Sequence, residues 1–197
     1  LVSSFCGNGS MCCAHFASIK GLAGEGPHCY GHFHTNQGTF SFQSNIINHK
    51  TTISMIDVAI FQIDQEGIYI NTGSPHYVLF KDSIDKINVN KEGADIRYSQ
   101  RFKEEGVNVT FASYENQQLS IRTYERGVER ETLSCGTGAV AAALCAYINQ
   151  LTSKKSISVQ TQGGILCVSF KKYLNIFVDI YLESTVEKNF EGILPTV

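Results

Sequence analysis

The chain has 197 residues, 43% of them hydrophobic and 17% charged, with a formal net charge of −2. That balance supports a packed core and gives no electrostatic case for nucleic acid or an anionic membrane surface as a partner. No apolar run approaches the roughly 20 residues needed to span a bilayer, and no basic-then-apolar leader opens the sequence, so a cytoplasmic location is expected.

Taken in chain order, residues 9–22 have little polar face and predict a helix buried on all sides. The alternation from Tyr30 to Thr35 reads as a half-exposed, aromatic-rich strand. Strand-like runs rich in Val, Ile, Thr and aromatic residues follow near 39–44, 51–57, 67–72, 76–80, 107–114, 118–124, 157–161, 165–170 and 175–182. Asp82–Ile87 reads as the start of a short helix, and 88–106 as either helix or loop. Residues 138–149 carry almost no polar side chain and predict a second wholly buried helix. Gly163-Gly164 predicts a hairpin turn. Strands outnumber helices and the turns are short, which favours antiparallel sheets over βαβ units. The expected class is α+β: two pseudo-symmetric lobes, each an antiparallel or mixed sheet wrapped around a central buried helix. The lobes are placed at 1–62 and 63–185, with 186–197 as a tail returning to the first.

That duplication rests on a repeated motif. Cys6-Gly7-Asn8-Gly9 opens the first apolar run, and Cys135-Gly136-Thr137-Gly138 opens the second. Each places a thiol and a set of free backbone N–H groups at a helix start, where the helix dipole favours a thiolate. The copies are unequal in context: Cys6 has five residues before it, whereas Cys135 follows a long stretch of its own unit. With Leu1 rather than Met at the start, this predicts a fragment or processed chain whose first lobe lacks leading strands. Of the seven cysteines, Cys12, Cys13, Cys145 and Cys167 are expected to be reduced core filler.

Two thiols can move a proton across a carbon centre. A thiolate takes the Cα proton of an amino acid, and a thiol opposite returns one to the other face. The carbanion is then stabilised by hydrogen bonds gathered on the carboxylate as it gains enolate character.

Cys6-Gly7-Asn8-Gly9, Gly73-Ser74-Pro75-His76, Val107-Asn108, Tyr124-Glu125-Arg126-Gly127 and Glu131-Thr132-Leu133-Ser134-Cys135-Gly136-Thr137-Gly138 together resemble the diaminopimelate epimerase family in order and spacing. The resemblance runs from about residue 3 to the C-terminus, and Asn8 stands where the similar proline racemases carry His. It implies a cofactor-independent, metal-free isomerase that interconverts LL- and meso-diaminopimelate, serving lysine and peptidoglycan precursor synthesis, and a homodimer. On that resemblance Cys6 and Cys135 are the acid–base pair. Gly7, Asn8, Gly136 and Thr137 would bind the reacting carboxylate. Ser74, Asn108 and Arg126 would bind the distal amino-acid end, with Arg126 gripping its carboxylate by a bidentate fork. Glu125 and His76 would line the site and tune the thiols. The sequence departs from the family pattern at Ser74, where many members have Asn, at Met11, where Arg is usual, and in the family's longer N-terminal part.

The rival readings are weaker. His28, Cys29, His32 and His34 are zinc-type ligands, but no second ligand pair occurs elsewhere. Cys12-Cys13 is not a Cys-x-x-Cys redox motif, and Gly7-Asn8-Gly9 lacks the third glycine of a dinucleotide loop. A racemase of another amino acid and a truncated inactive relative remain as alternatives.

Overall fold

The computed structural model describes residues 5–59 and 61–193. The first motif opens α1 (Gly7–Ile19), which leads into the antiparallel strands β1 (His28–Thr35), β2 (Gly38–Asn45) and β3 (Lys50–Ser54). Phe40, Phe42 and Ser44 alternate inward along β2, the period-2 signature of a half-buried strand. Next come β4 (Phe61–Ile63), β5 (Ile68–Asn71) and β6 (Pro75–Phe80), joined as an antiparallel meander.

From β6 the chain crosses over through α2 (Val89–Arg97) to β7 (Asn108–Glu115), which pairs with β6 in parallel. A parallel pair needs such a crossover. The helix expected at Asp82–Ile87 is a turn instead. Asn88 supplies the N-cap, its side chain accepting from the Lys91 N–H, so the helix starts one residue later while Ile84 packs inward. Residues 88–106 thus divide into a helix and a turn-rich segment. After β7, a hairpin gives β8 (Gln118–Glu125) and the short β9 (Arg130–Thr132). The second motif opens α3 (Gly136–Ile148), the crossover to β10 (Ser156–Thr161), which pairs with β8 in parallel. The chain closes with β11 (Gly164–Tyr173) and β12 (Ile176–Thr185). The β10–β11 turn centres on Gln162-Gly163, with Gly164 already paired to Thr161.

Among the described residues the strands form one sheet in the order β1-β2-β3-β12-β11-β10-β8-β7-β6-β5-β4, with β9 beside β8. The last strand links the first three to the rest of the sheet: β12 pairs antiparallel with β3 and with β11. α3 packs against β5, β6, β7, β8, β10, β11 and β12, and Ala139 to Ala146 have no exposure. Its small side chains let the sheet close around it. On the opposite face α2 covers β7 and β8, and Tyr77 and Leu79 of β6 join Val109, Phe111 and Tyr124 in a second cluster with Ile84, Val89 and Phe102. Burial on both faces explains why 76–79 and 108–112 are continuously buried rather than alternating.

α1 departs from expectation. It buries Gly7, Met11, Ala14, His15 and Ser18 against β1, β2, β3 and β12, but turns Cys12, Cys13, Phe16 and Ile19 outward. The apolar sequence predicted burial on all sides; the sheet supplies a wall on one. Cys12 and Cys13 are therefore exposed rather than core filler, Cys167 is half-buried, and Cys145 alone of the four is fully buried. No helix of the described residues is long and apolar enough to cross a membrane.

Candidate active site

Cys6 and Cys135 occupy the same local geometry. Each is the N-cap of its helix in extended backbone, with φ −110°, ψ 99° at Cys6 and φ −125°, ψ 109° at Cys135. Their carbonyls accept the first helical bonds, from Ser10 N–H at 3.0 Å and Ala139 N–H at 2.9 Å. Cys6 Sγ accepts from Gly9 N–H at 3.4 Å. Neither helix has an acidic residue in its own first turn to offset the positive end of its dipole.

The two helix starts meet at their first glycines. A Cβ placed on Gly136 would stand 3.4 Å from Gly7 Cα and 2.9 Å from Leu182 Cδ2; one on Gly7 would stand 3.5 Å from Gly136 Cα and 2.9 Å from the same Leu182 atom. Glycine at both positions lets two backbones touch over a floor supplied by β12. Asn8 Nδ2 donates to the Ser134 carbonyl at 3.1 Å, tying the first motif to the second across the chain.

Above this junction lies a cleft of about 550 Å3. Cys6, Gly7, Asn8, Ser74, Asn108, Glu125, Arg126, Cys135, Gly136 and Thr137 line it, and Phe5, Gly127 and Ser134 join them. His76 was expected to line the site. It lies instead under the floor, with no exposure, because β6 is buried on both faces; its Nε2 is 2.9 Å from Thr137 Oγ1. Burial, reinforced by the Arg126 charge, pulls its pKa down to about 3, so the ring is neutral.

Asn108 holds the frame of the cleft together. Its Nδ2 donates to Ser74 Oγ at 2.7 Å and to the Pro75 carbonyl at 2.9 Å, and its Oδ1 accepts from the Arg126 backbone N–H at 2.9 Å. Three chain segments are thereby fixed relative to one another. The Arg126 guanidinium donates to the Glu105 carbonyl at 2.7 Å. Glu125 is held at the end of β8 by Thr132, whose Oγ1 donates to Oε1. Burial, and then the neighbouring Glu125 charge, push the Cys135 thiol up to about 12, so it rests protonated.

The supporting hydroxyls of Thr72, Thr110, Thr123 and Thr132 were not singled out from sequence. Thr72, Thr110 and Thr123 are buried polar groups within or beside runs of buried residues, and only that conflict marks them. On β1, His28, His32 and His34 alternate with Cys29, which points to the opposite face. Among the described residues no three His, Cys, Asp or Glu side chains are grouped as a metal site.

A family model for diaminopimelate epimerase matches residues 68–180. The curated diaminopimelate epimerase of Flavobacterium psychrophilum is 39% identical over 198 residues, covering 96% of this chain and 72% of that protein. That of Aquifex aeolicus is 36% identical, covering 97% of this chain and 70% of its relative. Among solved structures, a Bacillus anthracis phenazine biosynthesis protein of the PhzF family aligns with a TM-score of 0.70 at 13% identity, over 93% of this chain and 73% of that one. A probable proline racemase from Agrobacterium radiobacter aligns with a TM-score of 0.68 at 14% identity, over 93% of this chain; the chain spans 65% of that structure. At such identities the structural likeness speaks for the fold, and the sequence matches speak for the family. A cleft with a cysteine-capped helix on either side, carried by a chain with these relatives, belongs to the diaminopimelate epimerase family of isomerases.

Proposed function

We propose that the chain catalyses the cofactor-independent epimerisation of LL-2,6-diaminopimelate to the meso isomer, with Cys6 and Cys135 as the acid–base pair. The observation that carries this reading is the meeting of two cysteine-capped helix starts at Gly7 and Gly136. It puts one thiol on each helix end and the free N–H groups of both at one cleft.

In one direction the Cys6 thiolate takes the Cα proton, breaking the C–H bond. The electron pair moves onto the substrate carboxylate, and the Cys135 thiol delivers its proton to the opposite face of Cα. In the reverse direction the two exchange roles. N–H groups of Gly7, Asn8, Gly136 and Thr137 are the donors for the developing enolate, oriented before reaction and so costing no reorganisation. Glu125, beside Cys135, is placed to take up the thiol proton when that cysteine must start as the base. Ser74 and Asn108 shape the distal end of the cleft, and Arg126 recognises the distal carboxylate.

A role in lysine and peptidoglycan precursor synthesis, a cytoplasmic location and a homodimer complete the reading. The lobes are taken as 1–62 and 63–185. The tail from 186 runs back to the first, a course supported by the Val186 N–H bond to the His49 carbonyl at 2.8 Å.

The test is Cα hydrogen exchange followed by NMR in deuterated water, with reduced protein and LL-diaminopimelate. Loss of the Cα–H signal with appearance of the meso isomer is expected, and Cys6→Ala and Cys135→Ala should each abolish it. Full epimerisation by either variant overturns the two-thiol mechanism. Exchange with another amino acid but not with diaminopimelate moves the reading to a racemase of that substrate.

A further inference from the structure

Strand β9 is only three residues long, yet its central residue is fixed from three directions. Arg122 of β8 donates from Nε and Nη2 to the two carboxylate oxygens of Glu131, at 2.6 and 2.8 Å. Its Nη1 donates to the carbonyls of Ile84 and Ile87, at 2.9 and 3.0 Å. Asn90 Oδ1 of α2 accepts from the Glu131 backbone N–H at 2.7 Å. Gln162 Nε2, from the β10–β11 turn, donates to Glu131 Oε1 at 3.1 Å. A bidentate arginine pair sets direction as well as distance. None of Arg122, Asn90 and Gln162 lines the cleft.

Antiparallel pairing sets Glu131 opposite Tyr124, Thr132 opposite Thr123 and Arg130 opposite Glu125. Successive residues of a strand point to opposite faces. Glu131 therefore shares the α2 side with Tyr124, while Thr132 shares the other side with Thr123 and Glu125. There Thr132 Oγ1 donates to Glu125 Oε1 at 2.5 Å. An ionised carboxylate only accepts, which fixes the direction of this bond. It also has further lone pairs, and the Cys135 S–H faces it.

We propose, building on the two-thiol reading, that Thr132 is a positioning residue: anchored through Glu131, it holds the Glu125 carboxylate as the proton acceptor of Cys135. Without the hydroxyl the carboxylate turns away about its own side-chain bonds. Cys135 then loses the acceptor for its S–H and the negative charge beside it. Both favour the protonated thiol, so their loss makes the thiol more acidic. It also removes the group that takes the thiol proton when Cys135 starts as the base. The other groups around Cys135 are Thr137, whose hydroxyl at 3.5 Å favours the thiolate, His76 of β6 behind Thr137, and Cys6 and Arg126 in the same cleft. Thr132→Val changes none of them directly.

The experiment measures how fast iodoacetamide alkylates each cysteine without substrate, by peptide mass spectrometry, in wild type, Thr132→Val and Thr132→Ser. At about pH 8, well below its midpoint, Cys135 reacts in proportion to its thiolate fraction. We expect it to react about tenfold faster in Thr132→Val, the ratio for one pKa unit. Thr132→Ser, which keeps the donor, should react at the wild-type rate. Cys145 reports any opening of the structure, because it is fully buried in α3. An unchanged or slower Cys135 in Thr132→Val, or a rise that Cys145 shares, overturns the proposal. Glu125→Gln should likewise speed Cys135, and adding Thr132→Val to it should change the rate no further. A further rise in the double variant shows Thr132 acting by another route and overturns the proposal too. Should Thr132→Val fail to fold, Glu125→Gln decides alone: an unchanged Cys135 there removes Glu125 as its partner, and the proposal with it. No readout requires turnover, so a failure here is separate from a failure to epimerise diaminopimelate.

Discussion

Helix α3 has no exposure from Ala139 to Ala146, whereas α1 keeps only Gly7, Met11, Ala14, His15 and Ser18 buried and shows Cys12, Cys13 and Phe16 on its outer face. Both helices start with Cys-Gly-x-Gly, both cap with the cysteine, and both run for 13 residues. What separates them is the number of strands around them, and the chemistry follows. Cys135 is buried and its thiol holds its proton strongly, while Cys6 is exposed. A repeated motif thus gives repeated backbone geometry, but the acid strength of its cysteine depends on the surrounding walls.

The sharpest way to break this comparison is to place a charge on each helix. Ala142→Asp buries an unpaired carboxylate in α3. That should cost more than about 3 kcal/mol and remove most of the stability of a domain this size. Cys13→Asp on the outer face of α1 should change stability by less than about 0.5 kcal/mol. Urea unfolding midpoints measure both; equal losses would mean that the two environments do not differ.

A second effect is pH dependence. His76 titrates at about 3 when folded, against an ordinary value of 6.5. Between those values the unfolded chain binds the extra proton, so stability rises with pH and is lost on acidification from 6.5 downward. The slope is about 1.4 kcal/mol per pH unit once well below 6.5. His15 on the inner face of α1 is also lowered, by burial and by His49, and contributes in the same sense. Melting temperatures between pH 5 and 7 should fall toward acid. His76→Gln should flatten that fall more than His15→Gln; the reverse order would mean that His15 of α1, not His76 of β6, is the more deeply buried neutral histidine.

The smallest effect concerns the glycines at the helix starts. Gly136→Ala sets a Cβ against Leu182 and Gly7 and should cost about 1–3 kcal/mol by overpacking, with at least a tenfold loss of turnover as the helix ends part. At Gly9 a Cβ would meet only Cys6, at 3.3 Å from Sγ. Gly9→Ala should stay within about 1 kcal/mol, since alanine favours the helix. Thermal shift assays would separate the two.

Much of the fold was legible in the residues. Alternation located β1, runs rich in Val, Ile, Thr and aromatic residues located β2, β10 and β11, and the Cys-Gly-x-Gly signature located the start of α3, because period, composition and capping are local properties. The cleft-lining residues from Cys6 to Thr137 were named through the motifs. The shortest strands, β4 and β9, were missed, because three residues carry too little pattern to register. The threonines behind His76 were missed for another reason. A lone hydroxyl in an apolar run signals nothing until its partner is known, and Thr110 meets His76 only because β6 and β7 pair in parallel.

The sequence by itself determined the longer strands and the two apolar helices, where the two thiols sit, and that each caps a helix. Spacing, capping and glycine act within a few residues of one another. The tertiary structure decided that α3 is enclosed and α1 is covered on one side, that β12 closes onto β3, and that His76 lies beneath the cleft. Those outcomes depend on residues far apart in the chain, brought together only when the sheet buries its apolar faces.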